Sequence, residues 1–248
     1  MSTLETRKIE PLSGTTVTLG AAGDAVTMPA GVTVKTNTVK DAGGNTIWTS
    51  NGSGTLSSVN SALSGNMIFI ASQTVSVQTS VEFTTGIDST YDEYVFYFVN
   101  MEIDYNGSQI AFQGSTDGGS SYGITKTGSV IIANHNQSGT GTTLESKTNQ
   151  VITSGTAAMN ISYQQGAGAS GSNPDDESLC GEFHIYAPSN TTFVKHWTVT
   201  THFHTLNDES RQWYSAGYWN TTSAINAVKF TSVQGNLFAG TIYLYGMK

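Results

Sequence analysis

Period-2 alternation of apolar and polar residues recurs along this chain, while helical periodicity is nearly absent. Alternation at period 2 sends successive side chains to opposite faces of a strand. Gly, Asn, Asp and Ser separate the alternating stretches, and these residues supply turns. The pattern restricts the chain to an all-β fold. Residues 16–19, 25–28 and 32–34 form three very short alternating stretches at intervals of under ten residues. Strands this short bury no face alone. Val17, Leu19, Val26, Met28 and Val32 need cover. They gain it by stacking on one another and on neighbouring chains, or as a small meander packed on the rest of the protein.

Residues 37–41 and 45–49 flank Ala42-Gly43-Gly44, which predicts a β-hairpin because glycine supplies the positive φ of the turn. Residues 50–55 have the composition of a flexible connector, and a short helix is expected over 57–63. From Met67 the strands lengthen and fill with aromatics, as in Glu93-Tyr94-Val95-Phe96-Tyr97-Phe98-Val99. Nine or more strands without helices predict an antiparallel β-sandwich, jelly-roll-like, over 67–248. The expected organisation is a small N-terminal β region of short strands over 1–50, a linker over 51–66, and that C-terminal sandwich. Two polar, Gly-rich loops interrupt it at 134–143 and 166–177, and loops of this kind are where binding usually sits.

Charge narrows the function classes. Only 11% of residues are charged, against roughly 25% in ordinary soluble domains, and Ser, Thr, Asn and Gly fill the gap. Asp plus Glu number 18 against 10 Lys plus Arg, a formal net charge of −8. The one basic pair is Arg7-Lys8, so neither nucleic acid nor an anionic membrane is an expected partner. Cys180 is the single cysteine, which excludes an intramolecular disulfide framework and reads as a small buried hydrophobe. Residues 1–8 lack the apolar core of a signal peptide, and no apolar run reaches transmembrane length. The expectation is synthesis in a cytoplasm with a surface suited to the outside of a cell. A virion protein, made in the host cytoplasm and released by lysis, satisfies both.

Several segments carry a resemblance. Thr6-Arg7-Lys8-Ile9-Glu10-Pro11-Leu12-Ser13-Gly14 with Val17-Thr18-Leu19-Gly20 resembles the opening of structural proteins from marine bacteriophages, including cyanophages. Residues 36–50, with the turn Lys40-Asp41-Ala42-Gly43-Gly44-Asn45, are similar to the same group. So are Tyr91-Asp92 ahead of a long buried strand, the turn Ser115-Thr116-Asp117-Gly118-Gly119-Ser120-Ser121-Tyr122, and the ending Gly240-Thr241-Ile242-Tyr243-Leu244-Tyr245-Gly246. The resemblance implies a virion structural protein of tail fibre-like kind. Its motifs are turns and strand edges, so it assigns no functional residue, and it does not extend over 124–180.

Candidate chemistry is sparse. His202 and His204 share one face of a strand, with Asp208 and Glu209 after them and His184 and His196 on expected neighbouring strands. Zinc or nickel uses such sets, but the pair lacks a fixed third ligand, and a polar strand face explains it equally. No metal or other cofactor is expected. Asp175-Asp176-Glu177 and Asp208-Glu209 are the densest acids. Glycosidase carboxylates face each other from distant elements, whereas these are sequence neighbours. They also lack calcium-loop spacing. With no nucleophile elbow, P-loop or HExxH helix, the chain is expected not to be an enzyme.

Trp213, Tyr214, Tyr218 and Trp219 form the densest aromatic set. On a strand the two tryptophans share one face and the two tyrosines the other. One face packs into the core; the other packs as well, meets a partner subunit or stacks sugars. Two roles follow. The first is a fibre or appendage protein, homotrimeric, whose N-terminal region docks on tail or capsid proteins while the sandwich binds a host surface glycan. The second is a capsid decoration protein without a ligand. A polysaccharide-degrading spike is a distant third.

Overall fold

The computed structural model describes residues 36–53, 56–59, 66–165 and 177–247. The short stretches between 16 and 34, and most of the loop 166–177, lie outside the described residues. The chain divides into two units, 1–63 and 64–248.

In the first unit, β1 (Thr38–Lys40), β2 (Thr46–Ser50) and β3 (Leu56–Val59) form an antiparallel sheet in that order. The β1–β2 turn closes as expected. Gly44 takes φ +83°, and the Asp41 carboxylate accepts bonds from the Asn45 backbone N–H at 2.8 Å and its side-chain amide at 3.0 Å. These bonds hold the Asp41 carboxyl below its usual pKa. The helix expected from residue 57 is absent at its start: β3 pairs Val59 with Trp48 and lies inside the stretch read as linker. A few Ser and Val residues cannot nucleate a helix in isolation, whereas the open edge of β2 offers a ladder at once.

The second unit follows. Its strands are β4 (Met67–Thr74), β5 (Ser80–Phe83), β6 (Glu93–Ile103), β7 (Ile110–Ser115), β8 (Lys126–Asn136), β9 (Thr142–Ser146), β10 (Ile152–Gly155) and β11 (Met159–Asn160). They continue as β12 (Leu179–Tyr186), β13 (Lys195–His204), β14 (Glu209–Trp219), β15 (Ala227–Ser232) and β16 (Leu237–Met247). Nine of them make one sheet, ordered β10-β8-β14-β13-β12-β6-β16-β4, with β9 also paired to β8. Four make a second sheet, β11-β7-β15-β5. Every strand pairing among the described residues is antiparallel, so the all-β expectation holds and the arrangement is sandwich-like. The 134–143 stretch is not a free loop: β8 runs to Asn136 and turns back into β9 by Thr142.

The two sheets meet through aromatics. Phe112 of the small sheet lies 4.3 Å from Phe183, 5.0 Å from Trp197 and 5.7 Å from Trp219, centroid to centroid. Phe230 lies 5.2 Å from Phe96 and 5.1 Å from Phe98. Such rings exceed the space a uniform sandwich leaves, and glycines yield it. Gly217 and Gly128 are cross-strand partners beside Trp197. A Cβ on Gly217 would sit 2.4 Å from that indole, and one on Gly128 2.6 Å from it.

The strands of the large sheet alternate strictly. On β13, Lys195, Trp197, Val199, Thr201 and Phe203 are buried, while His196, Thr198, Thr200, His202 and His204 face outward. This outer face carries the candidate site.

Candidate functional site

Register decides what meets on the outer face. His196 of β13 pairs with Tyr218 of β14, which pairs with Thr127 of β8. The imidazole and phenol rings meet edge to face at 6.1 Å. Two residues along each strand, Thr198, Ala216 and Ser129 form the next row. The following row is Thr200, Tyr214 and Ile131. A row of small side chains therefore lies between two rows of larger ones. Tyr214 and Tyr218 stand four residues apart on one strand, about 14 Å at ~3.4 Å per residue, with Ala216 between them.

The result is a trough of about 560 Å³ between the Tyr218 row and the segment Val151, Ile152 and Thr153, with Ala216 and Ser129 among its lining. A second depression, about 540 Å³, adjoins it and shares His196. Tyr186, Ala187, Val194 and Phe193 give it an apolar lining. Its loop is built deliberately. The Asn190 side-chain oxygen accepts the Thr192 and Phe193 N–H groups at 2.7 and 3.0 Å, an Asx turn that lifts Phe193 outward. Phe193 is 67% exposed. From below, Lys195 Nζ donates to the Phe193 carbonyl at 2.6 Å and the Thr222 carbonyl at 3.2 Å.

Among the described residues, no carboxylate lines either depression, and His196 is the one basic side chain that does. The two lysines beneath are turned inward. Lys195, Trp219 and Lys126 form one fully buried cross-strand row. Lys126 Nζ donates to the carbonyls of Ala157 at 2.6 Å, Ile124 at 3.3 Å and Thr156 at 3.4 Å. Burial among carbonyls, with no carboxylate bonded to it, pushes the Lys126 ammonium down to about 8, and Lys195 shifts in the same direction.

The aromatic set divides as its parity requires. Trp213 and Trp219 are fully buried, so they belong to the core and are closed to any ligand. Their face points at the small sheet, and only Tyr214 and Tyr218 reach the surface. Tyr214 is 47% exposed.

His202 and His204 do share the outer face, but each has its own neighbours. His202 Nε2 lies 2.9 Å from Ser210 Oγ. His204 Nε2 lies 3.1 Å from Gln137 Nε2 and 4.0 Å from Asp208 Oδ1, and its Nδ1 lies 3.7 Å from Glu177 Oε1. His184 bonds Glu93 and lies 3.5 Å from Glu182. Among the described residues, no group of three or more His, Cys, Asp or Glu could hold a metal. Asp175 and Asp176 lie outside the described residues, and Glu177 is buried rather than a solvated loop acid.

Cys180 corrects its expectation. It is exposed, because even-numbered β12 positions face outward, and its sulfur accepts the Asn100 N–H at 3.3 Å. The Ser115–Tyr122 turn is structural. Asp117 accepts from Ser115 Oγ at 2.6 Å and from Ser121 N and Oγ at 2.9 and 2.6 Å, which holds its carboxyl down to about 2.

Sequence reasoning missed Tyr186 and Phe193 as site residues and named His196 only within a candidate metal set. The signal for His196 was present, since alternation through Trp197 and Val199 turns it outward. Phe193 stands alone in a polar Asn-Thr-Thr run, a weak hint of an exposed ring. No known protein family, curated protein or solved structure matches the chain. Fold and site together define a two-sheet antiparallel sandwich with a hydroxyl-lined, aromatic-edged trough on its larger sheet.

Proposed function

We propose that this chain is a non-enzymatic structural protein of a bacteriophage particle, a fibre or appendage whose sandwich binds a host surface glycan. The observation that carries this reading is the trough over Ala216, edged by Tyr218 and His196 and lined by Thr127, Ser129 and Thr198, with Tyr214 exposed on the same face one row beyond. Sugar rings offer apolar C–H faces to phenols and hydroxyls to Thr and Ser, and such a trough meets both demands. Among the described residues no carboxylate lines the trough, which favours holding a glycan over cleaving it.

The wider assignment rests on the resemblance of the N-terminal motifs and on the weakly charged, acidic composition. In this reading the N-terminal region docks on other virion proteins. An open trough covers one face of a sugar, so single-site affinity is weak, on the order of 1 mM. A homotrimer converts that into useful avidity, which is the reason to expect one.

The test uses the full-length chain. Purified protein should adsorb to host cells and block infection, and the combined Tyr214→Ala and Tyr218→Ala variant should lose both properties while remaining folded. Cryo-EM density for the chain at the tail or projecting from a vertex supports the appendage. Copies spread evenly over the icosahedral faces overturn it in favour of capsid decoration.

A further inference from the structure

We infer that the ligand is a neutral oligosaccharide bearing a methyl group, as a deoxy or acetylated sugar, bound across both depressions with that methyl against Phe193. The inference rests on the glycan-binding reading above and names the class of glycan.

Charge gives the first half. A uronate or sialate needs a cation or several aimed donors when it leaves water. The two lysines beneath the depressions, Lys126 and Lys195, are buried with each ammonium spent on backbone carbonyls, and Lys147 pairs with Glu145 at 2.8 Å. Both buried lysines shift toward the neutral form, so neither offers charge to the surface. Around the trough the donors and acceptors are Thr, Ser, Tyr and one imidazole, which suit uncharged hydroxyls. The chain's net charge of −8 further repels an anionic polymer.

The second half comes from the contrast between the two depressions. The trough presents hydroxyls; the neighbouring depression presents Phe193, Val194, Ala187 and Tyr186. His196 lines both, so one ligand can span them. The Tyr186 hydroxyl is already engaged, 2.9 Å from Thr198 Oγ1, so that residue offers chiefly its ring. Asn190, Thr192 and Thr222 also line that depression, but a bare sugar hydroxyl set against Phe193 would lose water and gain no partner from the ring. A methyl or acetyl methyl gains instead. Phe193 is an ordered anchor, since the Asn190 turn above and Lys195 below fix its backbone before any ligand arrives.

The deciding experiment measures binding of the full-length chain to four matched oligosaccharides: unsubstituted neutral, 6-deoxy, N-acetylated and uronate-containing. One or both methyl-bearing sugars should bind about fourfold or more tighter than the unsubstituted one, the gain expected for burying one methyl. The uronate should bind weakest. Phe193→Ala should abolish the methyl preference, so that the methyl-bearing and unsubstituted sugars bind alike. Tyr218→Ala should weaken every sugar. Preference for the uronate, or a methyl preference that survives Phe193→Ala, overturns the inference while leaving glycan binding intact. Equal binding of the three neutral sugars also overturns it. Binding of none of the four removes the glycan reading itself, and this inference with it. Which methyl sugar wins distinguishes the deoxy from the acetylated source.

Discussion

The two faces of strand β14 use the same residue chemistry for opposite ends. Inward, Trp213 and Trp219 are fully buried between the sheets. Outward, Tyr218 edges a trough of small side chains, and Tyr214 stands exposed one row beyond it. The inner face is crowded enough that glycines at 128 and 217 make room for Trp197. The outer face is hollow at the same level, because Ala216 and Ser129 add almost nothing above the backbone. One short stretch, Trp213 to Trp219, thus writes core and candidate site in alternate letters. Alternation alone separates residues that hold the fold from residues free to bind.

That separation predicts a steep asymmetry under mutation. Trp219→Ala should cost about 3–5 kcal/mol, the range for removing a large buried aromatic, because Trp219 packs on Phe112 and Phe183. Urea unfolding followed by tryptophan fluorescence or circular dichroism measures it. A loss under about 1 kcal/mol would show the inner face to be far looser than described. Gly217→Ala tests the same face by addition. Its Cβ would lie 2.2 Å from the Thr127 carbonyl oxygen and 2.4 Å from Trp197, and backbone oxygen yields little. A loss of about 2–3 kcal/mol is expected from overpacking, read as a lowered urea midpoint.

The buried lysines sharpen the comparison through pH. Lys126 is held down to about 8 in the fold, against about 10.4 in an unfolded chain. Below about 8 both states are protonated and the fold carries the full desolvation cost. Between 8 and 10 the folded lysine gives up its proton while the unfolded one keeps it, so stability rises with pH. The gain is about 2 kcal/mol over those two units. Lys195 adds to it in the same direction. Above 10 the trend reverses, because Tyr122, pushed up to about 12 by burial and the Glu82 carboxylate, keeps its proton in the fold. Urea midpoints at pH 8 and 10 should separate for the natural chain and draw closer for Lys126→Met, Lys195 keeping the remainder. An unchanged slope in the variant would locate the effect elsewhere.

Much of this was legible in the sequence, and the failures have physical causes. Period-2 alternation carried the strands, since Phe183, Trp197 and Trp213 all fall on the face their parity assigns. The hairpin at residues 38–50 followed from its glycines. What alternation cannot state is register. That Tyr218 faces His196 and Thr127 depends on which strands pair and at what offset, and those partners are 22 and 91 residues away. Cys180 and β3 went wrong for a related reason: composition suggested a buried thiol and a helix, and sheet geometry overrode both. Glu177 of the acidic run is buried beside His204, a tertiary contact no local pattern encodes.

The smallest expected effect is the most discriminating. Tyr214→Ala and Tyr218→Ala remove large aromatic side chains only one residue from Trp213 and Trp219, yet each should change stability by no more than about 0.5 kcal/mol. Tyr214 is half exposed, and neither phenol reaches the space between the sheets. Cross-strand packing with Ile131 and His196 is worth only ~0.2–1 kcal/mol per pair, and water already covers much of these rings. Urea unfolding of each variant beside Trp219→Ala gives the ratio directly. A loss above about 2 kcal/mol for either tyrosine would mean that the outer face is a second packed surface. In that case Tyr214 and Tyr218 would be structural, and the trough would lose Tyr218 as a binding group. A near-zero change, with sugar binding abolished, would separate the two faces of β14 into one that folds the protein and one that uses it.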